Sequence, residues 1–130
     1  MLGRTLTSKP HFYDNICSFL SKGEEVEMID GMTRSVLSYG QAAELICSLS
    51  DLTAPLPQII NICSDSQLGK YEIGCVLAKK LGADPAQIKK LSEAQGEKFF
   101  KDKRASCTVM DNSLLKSLLG IQKIQWEEIK

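Results

Sequence analysis

Charge of one sign is missing from this chain. Lys and Arg together number 16, Asp and Glu together number 16, and the formal net charge is zero. A neutral chain has no electrostatic footprint for gripping a polyanionic backbone, so DNA and RNA are not expected partners. No apolar run approaches the length needed to span a bilayer. The opening residues, Met1 to Pro10, lack the apolar core of a signal peptide, and the expected compartment is the cytoplasm. There is a single histidine, His11, with no second imidazole to chelate a metal; it reads as a helix-start or surface residue. The five cysteines, Cys17, Cys47, Cys63, Cys75 and Cys107, are odd in number and include no Cys-x-x-Cys pair. That argues against both a zinc site and a disulfide framework. Most lie among apolar residues and read as reduced thiols serving as small core side chains. With the usual base so scarce, a catalytic thiol is not expected. There is no internal repeat, low-complexity tract or obvious linker.

What is present is an ordinary globular composition. Of 130 residues, 43% are apolar and 25% charged, enough for one domain over 1–130 with a modest core. Asp14 to Lys22 has Ile16, Phe19 and Leu20 at helical spacing, with a start soon after Pro10 and a stop at Gly23. Glu24 to Ile29 alternates charged and apolar residues and predicts a half-exposed strand. Asp30-Gly31 makes a turn, and Thr33 to Leu37 a second short strand. Gln41 to Leu49 predicts a helix with Ala42, Leu45, Ile46 and Leu49 inward, and Ser50 to Pro57 a loop. Then comes the most informative run, Gln58 to Gly82. A short apolar strand over 58–62 ends in a polar turn, and a helix over 70–81 follows. Gly69 stands at its N-cap, Glu72 can reach back as half of a capping box, and Gly82 stops it. Asp84-Pro85-Ala86-Gln87 predicts the start of a further short helix. Glu93 to Arg104 reads as loop or short helix and Ala105 to Met110 as an extended segment. Asp111 can cap a helix over 112–119 that stops at Gly120. The tail carries Ile124, Trp126 and Ile129, with Trp126 read as a packing residue. Strands loosely alternating with helices predict a mixed α/β fold with a small sheet.

Three segments, in order, resemble the C-terminal, substrate-binding half of an extended short-chain dehydrogenase/reductase. The dTDP-4-dehydrorhamnose reductase type, among the NAD-dependent epimerase/dehydratases, is the nearest subfamily. The first segment is Asp30 through Leu37 with Gln41-Ala42-Ala43, where Gln41 replaces a usual helix-starting aspartate. The second is Ile60-Asn61-Ile62 through Tyr71-Glu72, with Gly69 where the family often has serine or threonine. The third is Lys103-Arg104-Ala105 through Met110-Asp111, then Leu114-Leu115 and Leu119-Gly120, with Ala105 in place of the family's proline. Leu2-Gly3-Arg4-Thr5 resembles the end of a family strand, which suggests that the chain is part of a longer enzyme.

The resemblance implies a nucleotide-sugar ligand. An arginine fork gives a pyrophosphate two parallel charge-assisted hydrogen bonds, and Arg34 and Arg104 match positions that contact nucleotide phosphates in the family. The competing structural role for Arg34 is an ion pair with Asp30; Phe12 is a helix-packing residue that could also line the cleft. NAD(P) is implied for the full-length family, but no Gly-rich turn follows an N-terminal strand here, so no cofactor is expected on this chain alone. The family's catalytic Tyr-x-x-x-Lys pair has no counterpart: four residues after Tyr13, Tyr39 and Tyr71 stand Cys17, Ala43 and Cys75. No catalytic and no metal-ligating residue is therefore expected. A cofactor-binding domain, or self-association through an apolar face, is the expected partner. The alternative is a non-catalytic binding or regulatory subunit, resembling the regulatory β subunit of methionine adenosyltransferase.

Overall fold

The computed structural model describes residues 2–4, 8–102 and 104–126. The chain forms two compact units. The larger comprises Arg4–Arg34 and Leu68–Thr108, the smaller Met1–Gly3, Ser35–Gln67 and Val109–Lys130. Among the described residues the order is α1 (Phe12–Ser21), β1 (Val26–Ile29), β2 (Thr33–Ser35), α2 (Tyr39–Ser50), β3 (Gln67–Leu68), α3 (Lys70–Leu81), a 3-10 turn (Pro85–Gln87), β4 (Ile88–Leu91), α4 (Glu93–Glu97), β5 (Cys107–Thr108) and α5 (Ser113–Leu119). This is the mixed α/β class with small sheets that the sequence predicts.

In the larger unit β1 and β4 form a parallel pair running from Val26↔Ile88 to Ile29↔Leu91. Helices α1 and α3 pack on each other and on β1, and α3 also packs on β4. The buried side chains follow helical spacing: Tyr13, Ile16 and Leu20 on α1, and Ile73, Leu77 and Ala78 on α3, over Met28, Ile29 and Ile88 of the sheet. At Gly74 an added Cβ would lie 2.4 Å from the Met28 sulfur, so the glycine sets how closely α3 approaches β1. The α3 boundaries fall where local chemistry puts them. The Glu72 carboxylate accepts from the Gly69 N–H at 2.9 Å, and Gly82 closes the helix in the left-handed region at φ 67°.

Asp84-Pro85-Ala86-Gln87 opens a short 3-10 helix, Pro85–Gln87, and not an α-helix. Asp84 caps through the Ala86 N–H at 2.9 Å, but the result is one 3-10 turn, after which Ile88 enters the ladder with β1. A cap signal is local, and the non-local ladder overrides it. The sequence gives β4 little signal of its own, since Lys89 and Lys90 between its apolar ends are exposed.

In the smaller unit α2 packs on α5. The core is Leu37, Ala42, Leu49, Leu115 and Ile124, with Leu45, Ile60, Ile62 and Leu118 against it. Leu2 behaves as a strand residue, donating to the Leu37 carbonyl at 2.9 Å and accepting from Tyr39 at 3.1 Å; Thr5 lies outside the described residues. Helix α2 starts earlier than predicted: Ser38 is its cap, and Gln41 sits at the third helical position, its side chain reaching back to Ser38. Helix α5 starts one residue later than predicted, with Asn112 rather than Asp111 at the cap position; Asp111, one residue further out, accepts from the Ser113 N–H at 3.0 Å.

The predicted strand over 58–62 is not a strand. Its alternation is real, with Ile59 80% exposed and Ile60 and Ile62 against the core. The neighbouring segment, however, engages it through side-chain groups rather than a ladder. Asn61 Nδ2 donates to the Asp111 carbonyl and Asn112 Nδ2 to the Cys63 carbonyl, each at 3.0 Å. Directly after it, Asp65 anchors the C-terminal segment. Its carboxylate meets Lys116 Nζ at 2.7 Å and the Ile124 N–H at 2.8 Å. Trp126 is half-buried, as a packing residue; Ile129 lies outside the described residues. The reading of all five cysteines as core residues is corrected. Cys63 is buried, Cys17 and Cys75 are half-buried, and Cys47 and Cys107 are exposed.

Leu115 has no exposed surface, so Leu115→Ala is expected to cost about 2–5 kcal/mol of unfolding free energy. Cys47→Ser at the surface should stay within about 0.5 kcal/mol. Urea unfolding checks both, and a Leu115→Ala loss no larger than that of Cys47→Ser would contradict this core. The hydrogen bond from Lys116, and then that from the Ile124 amide, hold the Asp65 carboxyl below its usual range. A depressed carboxyl stabilises above its unfolded pKa of about 3.9 and loses that contribution as pH falls through its lower folded value. Asp65→Asn should therefore melt below wild type at pH 7, with the two melting points converging on acidification; a constant gap down to pH 2 would contradict the assignment.

Candidate anion-binding site

Arg34 lies on β2, the middle strand of a three-stranded sheet ordered β3-β2-β5. The β2–β5 pair is parallel, with Thr33 opposite Cys107 and Arg34 opposite Thr108. The Thr33 N–H donates to the Ser106 carbonyl at 2.8 Å, and Arg34 Nη1 donates to Thr108 Oγ1. The ion pair of Arg34 with Asp30 does not form. Asp30 instead meets Lys90 at 2.7 Å, and that hydrogen bond lowers its pKa and raises that of Lys90. The turn after Asp30 thus leaves Arg34 without a carboxylate.

Arg104 comes just before β5, and the ladder brings its segment beside β2. Its guanidinium lies 4.1 Å from the centroid of the Phe100 ring, a stacked geometry that restrains the fork while leaving its edge available for hydrogen bonds. The ring supplies an orientation that a proline at position 105 would have supplied through the backbone. Glu97, Phe100, Lys101, Asp102 and Arg104 line a cavity of about 250 Å³, and neither carboxylate there forms an ion pair with Arg104. Lys103 lies outside the described residues.

A third cation stands with these two. Lys70 is the first residue of α3, and its ammonium sits 5.5 Å over the Phe12 ring. Phe12 is half-buried, so the packing role expected of it also forms the floor under Lys70. Although the residue is exposed as a whole, desolvation of the ammonium lowers its pKa, and the charges of Arg104 and Arg34 push it the same way. None of the three cations forms an ion pair among the described residues. Lys70 is hidden in the sequence inside an ordinary helix start. The available signal is that a lysine in a first turn opposes the helix dipole, which favours acids there.

Tyr13 and Tyr71 each have a cysteine one turn further on. Tyr71 is hydrogen-bonded to Cys75, which raises its pKa. Burial, and then the Cys17 thiol, raise that of Tyr13. A lysine in the thiol position would act in the opposite direction. Among the described residues no group of three His, Cys, Asp or Glu side chains is arranged to hold a metal ion, and no helix is long and apolar enough to cross a membrane. The smaller unit has a separate polar cleft of about 410 Å³, lined by residues that include Asp65, Gln67, Asn112 and Lys116.

The fold has a known counterpart. It is similar to dTDP-glucose 4,6-dehydratase from Bacillus anthracis str. Ames, an extended short-chain dehydrogenase/reductase whose crystal structure is a complex with NAD. The TM-score is 0.62 at 12% identity, over 87% of this chain and 34% of that one. The chain thus has a short-chain dehydrogenase/reductase-like fold and spans about a third of that relative's length. No protein-family model and no curated protein matches the sequence.

The residues present do not fit a dinucleotide. A pyrophosphate needs free N–H groups at a helix N-terminus after a glycine-rich turn. At α3 the Glu72 carboxylate already occupies the Gly69 N–H, so that amide is not free for a dinucleotide pyrophosphate. A Cβ on Gly69 would lie 3.1 Å from the Met32 carbonyl and 2.6 Å from that carboxylate. The family's serine or threonine would therefore collide with the cap that this chain uses. After β1 the chain turns at Asp30-Gly31 into β2 rather than into a helix.

Proposed function

We propose that the chain is the substrate-binding portion of an NAD(P)-dependent sugar-nucleotide reductase or epimerase, of the dTDP-4-dehydrorhamnose reductase type. It holds the pyrophosphate of a nucleotide-sugar on Arg34 and Arg104 and transfers no hydride by itself. The observation that carries this reading is that two guanidiniums, one on β2 and one just before β5, stand in one unit with no carboxylate paired to either. A pyrophosphate diester carries two negative charges, and each fork can donate to it in a bidentate manner. The short-chain dehydrogenase/reductase-like fold is consistent with such a ligand and does not specify it.

On this reading the hydride chemistry belongs to a cofactor-binding domain. The smaller unit leaves Ile59 at 80%, Met110 at 45% and Leu114 at 43% exposed. These side chains are the surface proposed to receive that domain, or a second copy of this chain.

A ligand that binds only the folded state must raise the melting point. At about a hundred times its Kd a nucleotide-sugar adds ~2.7 kcal/mol, a shift on the order of 5–10 °C. The expected result is such a shift with dTDP- or UDP-sugars, lost in Arg104→Ala and reduced in Arg34→Ala. If neither sugar class shifts the melt and Arg104→Ala changes nothing, the substrate-side reading fails.

A further inference from the structure

We propose that Lys70 is a third contact to the same ligand, so that the site is a three-cation clamp for a nucleoside diphosphate moiety; this rests on the reading above. Three segments of the larger unit are held together by backbone geometry. Arg34 lies on the middle strand, and the Thr33 N–H bond to the Ser106 carbonyl holds the Arg104 segment on one side of it. On the other side the start of α3 abuts the strand entry, where a Cβ on Gly69 would stand only 3.1 Å from the Met32 carbonyl. Lys70 is the next residue.

The Phe12 ring beneath Lys70 favours its charge, and the other local influences oppose it. It sits at the positive end of the α3 dipole, its ammonium is partly desolvated, and the charges of Arg104 and Arg34 act against it. The acid in the same turn, Glu72, is committed to the Gly69 N–H. A cluster of like charges with no carboxylate ion-paired to it among the described residues is a local rule broken, and such breaks concentrate at functional sites. A diphosphate supplies the missing negative charge to all three groups, whereas an arginine pair alone would leave Lys70 uncompensated.

The test is calorimetric titration of the whole chain with dTDP and with UDP. The variants are Lys70→Met, Lys70→Arg and Arg104→Ala, with Lys79→Met as a control for net charge at the far end of the same helix. Lys70→Met should weaken binding about tenfold or more, Lys70→Arg should retain it within about threefold, and Lys79→Met should leave it unchanged. The salt dependence of binding should also become shallower in Lys70→Met. Without ligand, Lys70→Met should melt at or above wild type, because the cation it removes is unfavourable to the helix. The proposal is overturned, and the arginine reading kept, if Lys70→Met binds like wild type while Arg104→Ala does not. It is overturned as well if Lys79→Met weakens binding equally, or if Lys70→Met without ligand melts well below wild type. If wild type binds neither nucleotide, the reading beneath it falls too.

Discussion

The candidate site hangs on a parallel ladder between two very short strands. Thr33 opposite Cys107 and Arg34 opposite Thr108, with the Thr33 N–H on the Ser106 carbonyl, fix where β2 and β5 lie relative to each other. Arg34 is a member of that ladder, Arg104 leads into it, and the helix bearing Lys70 starts against the residue that precedes it. Parallel pairs need long connections, and segments far apart in sequence are brought together only by the folded unit. The β1–β4 pair, covered by α1 and α3, provides that unit. The candidate site is therefore a product of tertiary structure, and no short stretch of the chain contains it.

This explains which parts of the molecule are legible in the sequence. Helix α3 is readable residue by residue, because its start and stop are local: Glu72 reaching back to Gly69, and Gly82 in the left-handed region. The hydrogen bond from the Ser113 N–H to Asp111 at the start of α5 is equally local, though Asn112 holds the cap position. Where non-local partners decide, reading fails. Residues 58–62 carry the alternation of a strand, yet Asn61 and Asn112 replace its ladder with side-chain amide bonds. Asp84 carries a good helix cap, yet Ile88 is drawn into the sheet with Val26. Cysteine burial cannot be read from apolar neighbours in sequence either, since Cys47 lies next to Ile46 on a face of α2 that is itself exposed.

For the site, the resemblance supplies Arg34 and Arg104 but not their setting. The ion pair of Asp30 with Lys90, which leaves Arg34 free of a carboxylate, joins residues sixty apart. Departures from the family pattern have physical partners in the fold. Gly69 lets the start of α3 come close to the Met32 carbonyl. Phe100 steadies the Arg104 fork where Ala105 replaces a proline. The cysteines one turn after Tyr13 and Tyr71 raise rather than lower the tyrosine pKa values. The same fold thus holds Arg34, Arg104 and Lys70 without an ion pair among the described residues, beside two tyrosines whose pKa values are raised.

The central claim is that one cationic face of the larger unit takes a diphosphate. Two-dimensional NMR of the backbone amides during titration with dTDP tests it most directly. The perturbed amides should cluster at 33–34, 69–71 and 104–108, with the cleft around Asp65, Asn112 and Lys116 left unmoved. Perturbations confined to that cleft, or none at all at saturating nucleotide, would contradict it.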